Sequence, residues 1–158
     1  MSKRKEKPDS PTIENRRARF DYAITEELEV GMILKGSEVK AVRNSLVSLA
    51  EGFVRVGVDP PTLELYNVMI GDYGPAAARG HKPVRPRGLL ANKQEILRLH
   101  RQVQVKGMTI VPLKLYFKNG YAKLLIGLGK GKTKGDRRET IQKREAQRDM
   151  DRATSRRR

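Results

Sequence analysis

The sequence predicts a mainly β protein: a small closed antiparallel barrel of about six short strands, with flanking helices and a basic C-terminal tail. Three observations lead there. Apolar residues alternate over several short runs between residues 20 and 128, the period of a half-buried strand. Glycine, proline and asparagine interrupt those runs at Gly36, at Pro60 and Pro61, and at Asn119 and Gly120, where chain reversals belong. Beyond Lys130 the apolar residues nearly vanish while Lys and Arg continue, so this segment cannot bury enough surface to fold alone.

The elements follow in order. Residues 1–14, with Pro8 and Pro11 and no periodic pattern, read as a disordered basic N-terminus. Phe20, Tyr22 and Ile24 alternate as a first strand. Leu28, Val30, Met32 and Leu34 form one side of a second, with Gly31 marking a bulge or a close backbone approach. Ser37 is placed to cap a short helix bearing Val39, Val42 and Leu46, which ends near Asn44 and Ser45. Residues 53–58 and 63–70 alternate around the Asp59-Pro60-Pro61-Thr62 turn as a hairpin. Residues 71–88 form a long irregular piece, rich in Gly, Pro and Ala. Leu89 to Gln104 reads as the best helix outside the tail, capped by Asn92 with Glu95 three residues on and ended by Gly107. Residues 108–118 and 121–128 make a second hairpin. Asn119-Gly120 suits a tight primed turn, and Pro112 marks an edge or bulge. Strand count and length favour an OB-like barrel over a sandwich, with an exposed face suited to nucleic acid. The chain therefore divides into the N-terminus (1–14), an OB-like RNA-binding domain (15–129) and the basic tail (130–158).

Charge narrows the partner. The 158 residues carry 34 Lys and Arg against 18 Asp and Glu, a net +16. Residues 1–19 hold +4 and residues 130–158 hold +7, leaving +5 on the 110 residues between. Such an excess favours a polyanion. A membrane is disfavoured, because no run of about 18 apolar residues and no basic amphipathic face with aromatics is present. The first residues lack the apolar segment of a signal peptide, and a chain without cysteine holds no disulfide or thiolate metal site. A cytoplasmic protein is expected.

Catalytic chemistry has little to stand on. His81 and His100 are the only histidines. His100 falls on the apolar side of its helix as a packing residue, and His81 lies in the basic loop, touching RNA or water. Glu27 and Glu29 share one strand face and Glu26 the other, a weak metal pattern. The run Gly127-Leu128-Gly129-Lys130-Gly131-Lys132 lacks the ending and spacing of a phosphate loop and reads as a flexible exit from the last strand. Neither a catalytic group, a metal nor a cofactor is expected.

RNA-binding features are stronger. Arg16, Arg17 and Arg19 lead into the first strand, and Arg79, Lys82, Arg85 and Arg87 line the irregular stretch. Tyr22, Tyr66, Tyr116, Phe117 and Tyr121 lie on strands, where an aromatic can stack on an unpaired base, although core packing is the commoner role for each. Lys118 and Lys123 flank them. The tail forms at most a marginal helix. Asp136 is placed to cap it with Glu139 three residues on. Glu139 pairs with Lys143 at i,i+4, while Arg144 opposes Arg148.

Five segments carry a resemblance. Asn15-Arg16-Arg17-Ala18-Arg19-Phe20-Asp21-Tyr22, Gly36-Ser37-Glu38-Val39-Lys40-Ala41-Val42-Arg43, Arg85-Pro86-Arg87-Gly88-Leu89-Leu90, residues 111–120 and Asp136-Arg137-Arg138-Glu139-Thr140-Ile141 resemble, in order and spacing, the small protein B (SmpB) or SsrA-binding protein family. The resemblance runs from about Asn15 to Ala153. It implies an OB-like barrel that binds the tRNA-like domain of transfer-messenger RNA (tmRNA), stands in for its missing anticodon arm and delivers it to stalled ribosomes. It implies trans-translation with elongation factor Tu, support of charging by alanyl-tRNA synthetase, and a monomer when free. By position it places RNA contacts at Asn15, Glu29, Leu90 and Lys123. It sends the tail into the decoding site and empty mRNA channel, where it becomes helical through Lys130, Lys132, Lys134, Asp136, Arg137 and Arg138, with Lys143 and Arg144 beyond. Asn15 would be a polar reader, Glu29 an acceptor from bases or ribose, and Leu90 an apolar contact. This sequence departs from the family at Phe20, Gly88, Asn92 and Gly135. The residues alone leave open a structural ribosomal protein, a general RNA chaperone or, less well supported, an RNA-processing enzyme.

Overall fold

The computed structural model describes residues 10–72 and 81–156. Of the N-terminus expected to be disordered, residues 1–14, the first nine lie outside them, as does the centre of the irregular stretch with Arg79, while Ile13 and Glu14 form a strand paired with residues 114–115. The elements are β1 (Ile13–Glu14), α1 (Arg16–Asp21), β2 (Tyr22–Met32), α2 (Gly36–Arg43), β3 (Val47–Ser48), β4 (Phe53–Val58), β5 (Pro61–Tyr66), β6 (Met69–Ile70), β7 (Arg87–Leu90), α3 (Lys93–Val103), β8 (Met108–Lys118), β9 (Tyr121–Gly131) and α4 (Lys134–Ser155). Seven strands form one antiparallel sheet in the order β1-β8-β4-β5-β7-β2-β9. A further pairing of β8 with β9 closes six of them into a ring. β3 and β6 make a separate two-stranded sheet.

The start of the fold differs from the alternation read in the sequence. Phe20 belongs to helix α1, not to a strand. Asn15 caps that helix, its side chain accepting from the Ala18 N–H at 3.1 Å. The two expected strands are then one, β2, joined through an irregularity between Ile24 and Glu26 where its register against β9 shifts. That single-residue shift puts Glu26, Leu28, Val30 and Met32 toward the interior. Gly31 is a close approach rather than a bulge: a Cβ there would sit 3.2 Å from the Leu90 Cβ.

Other boundaries moved for local reasons. Lys35, not Ser37, is the N-cap of α2, and its N–H donates to the Glu38 carboxylate at 3.0 Å. The run from Leu63 to Ile70 is broken at Asn67, whose φ of 58° changes the phase, so that Leu63 and Leu65 before it and Val68 and Ile70 after it are all buried. Leu89 and Leu90 are strand. The helix starts only at Lys93, with the Asn92 N–H donating to Glu95 at 3.2 Å. The second hairpin matches expectation. Asn119 and Gly120 hold φ of 53° and 78°, and the ladder shifts between Pro112 and Lys114.

The main core fills the ring with Val30, Leu63, Leu65, Leu89, Ile110, Leu115, Leu124 and Ile126. Ile96 and Leu99 of α3 and Ala41 and Val42 of α2 pack into it. A smaller cluster of Ala18, Val111 and Leu113 seats α1 on the outside of β8. The glycine run is not a flexible exit, because β9 continues through it to Gly131. A Cβ on Gly127 would lie 2.6 Å from Leu113, and one on Gly129 would lie 2.7 Å from the Ala23 carbonyl oxygen. These glycines let strands and side chains crowd together. G129A is expected to lower stability by about 1–3 kcal/mol in urea unfolding. G131A, where a Cβ meets nothing within 4 Å, is expected to leave the midpoint unchanged.

Candidate RNA interface

Three of the four residues that the resemblance places on RNA meet in one open cleft. It has a volume of about 370 Å³ and is lined by Glu29, Gly31, Leu90, Ala91, Asn92, Glu95 and Lys123. The pairing register explains the meeting. Gly31 of β2 stands opposite Leu90 on one side and Lys123 on the other, and Glu29 lies two residues back on the same outward face. Leu90 is 60 % exposed, an apolar contact left open to a partner. The departure at Asn92 falls on the cleft wall. At Gly88 a side chain would have only Ile33 to displace, 3.0 Å from an added Cβ.

Glu29 is set by its neighbours. The Tyr116 hydroxyl donates to one carboxylate oxygen, and Lys118 Nζ lies 3.6 Å from the other. The bond from Tyr116, with smaller pulls from Lys118 and Lys123 and against the cost of burial, holds the Glu29 carboxyl below its ordinary value. Burial and then Glu29 push the Tyr116 phenol up to about 12, so it stays a donor at any physiological pH. Glu29 is therefore an ionised acceptor among cations.

Asn15 is elsewhere, and the fold does not present it as the polar reader that the resemblance implies. It is 4 % exposed, with its Nδ2 donating to the Leu49 and Pro112 carbonyls at 3.0 and 2.8 Å. It ties the chain start to β8. Arg87 is corrected too. It is fully buried, paired with Glu38 and donating to the carbonyls of Val68, Pro83 and Arg85 at 2.8, 3.1 and 3.2 Å. Arg85 binds the other oxygen of the same carboxylate and keeps only partial exposure. Burial pushes the Glu38 carboxyl up, but the bonds from Arg85, Arg87 and the Lys35 N–H outweigh it, and Glu38 ends below its ordinary value. The sequence reading gave Glu38 no role. Its place three residues after Lys35, at the start of a helix, was the available signal.

His81 is also buried, not facing RNA. Its Nε2 donates to the Ile70 carbonyl at 2.9 Å, and its Nδ1 is hydrogen-bonded with the Ser37 hydroxyl at 2.9 Å. His100 is half-buried, with its Nε2 3.2 Å from the Gln104 amide nitrogen. Glu26 pairs with Arg98 and Gln102, and Glu27 with Arg19 at 3.0 Å. Arg17 pairs with Glu51 at 2.6 Å and Asp21 at 3.4 Å. Tyr22 packs against the small outer cluster. Arg16 is exposed, with no ion pair among the described residues.

The tail is helical from Lys134 to Ser155 and buries no residue. Thr133, not Asp136, is its N-cap. Its Oγ1 accepts from the Asp136 N–H at 3.3 Å, and its N–H donates to the Asp136 carboxylate at 3.1 Å. Hydrogen bonds to Thr133 hold the Asp136 carboxyl below its ordinary value. Lys130 belongs to β9, not to the tail. The first half of the helix rests on α1: the Lys132 N–H just before it donates to the Asp21 carbonyl at 2.7 Å, Arg137 lies 3.5 Å from the Asp21 carboxylate, and the Arg144 guanidinium lies over the Phe20 ring, 5.5 Å from its centroid. Glu139 and Lys143 pair at 3.1 Å as expected. Lys134 and Arg138 point outward. A side chain at Gly135 would meet only Thr133 Oγ1, at 3.8 Å, so its absence there is not steric.

A closed antiparallel sheet that presents lysines, an ionised acceptor and a bare leucine, and that carries a cationic helix, defines the class: a small polyanion-binding β protein. The family described as SmpB protein matches residues 12–156, and the chain belongs to it. It is 47 % identical over 144 residues to the SsrA-binding protein of Anaeromyxobacter sp. (strain Fw109-5), covering 91 % of this chain and 86 % of that one. It is 47 % identical over 139 residues to the SsrA-binding protein of Exiguobacterium sibiricum, covering 88 % of each. A solved structure described as "tmRNA-SmpB: a journey to the center of the bacterial ribosome" superposes with a TM-score of 0.67 at 42 % identity, covering 84 % of this chain and 95 % of that one. In Y116F the Glu29 pKa is expected to rise toward the ordinary carboxylate value, read by NMR titration. The lowered pKa stabilises the fold above the unfolded-state pKa and loses that effect as pH falls through the folded one. The Tm gap between wild type and Y116F should therefore close in acid.

Proposed function

We propose that this protein is the SsrA-binding adaptor of tmRNA-mediated trans-translation. The cleft carries the reading: Glu29, Leu90 and Lys123 come from three different strands and converge on one outward face. Kinship with proteins named SsrA-binding protein supplies the RNA. The protein is not an enzyme. Its task is recognition, with Lys123 and Lys118 taking phosphate, Glu29 accepting from base or ribose donors, and Leu90 lying against an exposed base. The closed ring of six antiparallel strands supports an OB-like barrel in residues 15–129, extended at its start by β1.

The tail supplies the second half of the proposal. A 22-residue helix with no buried residue has little of its own to hold it together. In this reading it is marginal in the free protein and persists in the decoding site and empty mRNA channel of a stalled ribosome, where rRNA phosphates surround Lys134, Arg138, Lys143 and Arg144. Elongation factor Tu and alanyl-tRNA synthetase are met through the RNA, in the cytoplasm. No helix among the described residues is long and apolar enough to cross a membrane.

The rival reading, a general RNA binder, rests on net charge alone. Competition binding at moderate salt separates the two. The protein is expected to hold the isolated tRNA-like domain of tmRNA at least tenfold tighter than bulk tRNA or duplex RNA, and equal affinity for all three would sink the adaptor reading. Truncation after Lys132 keeps the ring closed. It is expected to leave binding to that domain within about twofold and to abolish peptide tagging in a reconstituted stalled-ribosome assay. Tagging by the truncated chain would remove the tail from the mechanism.

A further inference from the structure

The outward face of the β8–β9 hairpin does not stop at the cleft. Its pairings run unbroken from Lys114 opposite Leu125 to Lys118 opposite Tyr121. Side chains alternate along a strand, and Leu115 and Leu124 point into the core, so Tyr116, Lys118, Lys123 and Tyr121 share the outer face. Tyr121 lies two residues beyond Lys123, about 7 Å along β9. It is 73 % exposed, the most of any large hydrophobic side chain among the described residues that stand out from the core.

Its ring differs from the other described aromatics. Phe53 and Tyr66 stack on each other, Arg43 lies over Phe117 and Arg144 over Phe20. Tyr116 donates to Glu29, and Tyr22 packs on the outer cluster. Among the described residues Tyr121 stacks on no ring and lies under no guanidinium. It is also held in place: it is the first residue after the turn that Asn119 and Gly120 make with positive φ, and it sits in register on a paired strand. A bare aromatic face on a rigid hairpin, beside two lysines and continuous with an RNA cleft, matches an unpaired base in shape and its flanking phosphates in charge.

We propose that Tyr121 is a base-stacking subsite that extends the cleft by one nucleotide. An unpaired or splayed RNA base lies on its ring, and Lys118 and Lys123 hold the phosphates on either side. The Lys118–Glu29 pair, at 3.6 Å and exposed, is weak enough to yield its lysine to phosphate. Stacking tolerates any base, so the subsite adds affinity for an unstacked nucleotide without reading its identity. The inference rests on the RNA-binding reading of the cleft.

The test uses the full-length protein and a labelled tRNA-like domain of tmRNA in anisotropy titrations over a range of salt. Y121S is expected to bind about tenfold more weakly, while Y121F binds as wild type does. Neither variant should change the slope of log K against log salt, because no charge is lost, whereas K118A should reduce it by about one. The chain has no tryptophan, so Y121W adds a single indole, whose emission should be quenched at saturating RNA. Wild-type affinity in Y121S, a loss in Y121F as large as in Y121S, or an unquenched Y121W would each overturn the subsite. Wild-type preference for this domain over bulk tRNA is measured alongside. Its absence sinks the tmRNA reading, while its presence with an inert Tyr121 sinks only the subsite.

Discussion

Everything outward-facing on this molecule depends on β9 being paired along both edges. It carries β2 on one side and β8 on the other, each through most of its length. That double pairing closes the ring, removes two free sheet edges and fixes the register of three long strands at once. A one-residue slip in either ladder would turn Lys123 inward and Leu124 outward. The cost of that slip is a buried ammonium and an exposed core leucine, so the core enforces the geometry of the cleft. The irregularities at Thr25 and Leu113 are part of the same arrangement. Each lets a long strand change phase without breaking its pairing.

The buried charges sort the cations. Thirty-four basic side chains look interchangeable in the sequence, but the fold makes them different. Arg87 and Arg85 converge on Glu38, which stands at 0 % exposure, and the three tie α2 to the strand that ends at Leu90. Losing either partner would strand a charge in a dry site, which is why such pairs resist removal even where they add little net stability. Arg17 and Arg19 are held by surface carboxylates. The cations left facing outward near the cleft are lysines, compact charges suited to phosphate at variable geometry.

Much of this was legible in the sequence, and the failures have physical reasons. Local chemistry read well: the Asn119-Gly120 turn, the Pro112 irregularity, Asn92 with Glu95, and the Glu139–Lys143 pair depend on neighbours in the chain. Phe20 was misread because alternation over three residues cannot distinguish one helical turn from a strand, and the deciding contacts, Asn15 with Leu49 and Pro112, span 34 and 97 residues. Leu89 and Leu90 were absorbed into a helix because their strand is only four residues long. Arg87 and His81 looked like surface residues of a polar loop. Their partners, Glu38 and Ser37, lie on a helix more than forty residues earlier. In the cleft the residues were named by kinship. Their meeting required the register of three strands.

The tail helix is about 33 Å long at 1.5 Å per residue, and its contacts with α1 lie in its first half, at Arg137 and Arg144. It is therefore a lever with a short bearing. A tilt of about 10° at the Phe20–Arg144 contact would carry the far end, about 16 Å beyond it, through about 3 Å. Since α1 is capped by Asn15, which is itself bonded to β8, any small shift of the sheet that moves α1 is magnified at the tip. The body of the protein thus gives the tail a direction, and the walls of whatever channel receives it must supply the aim.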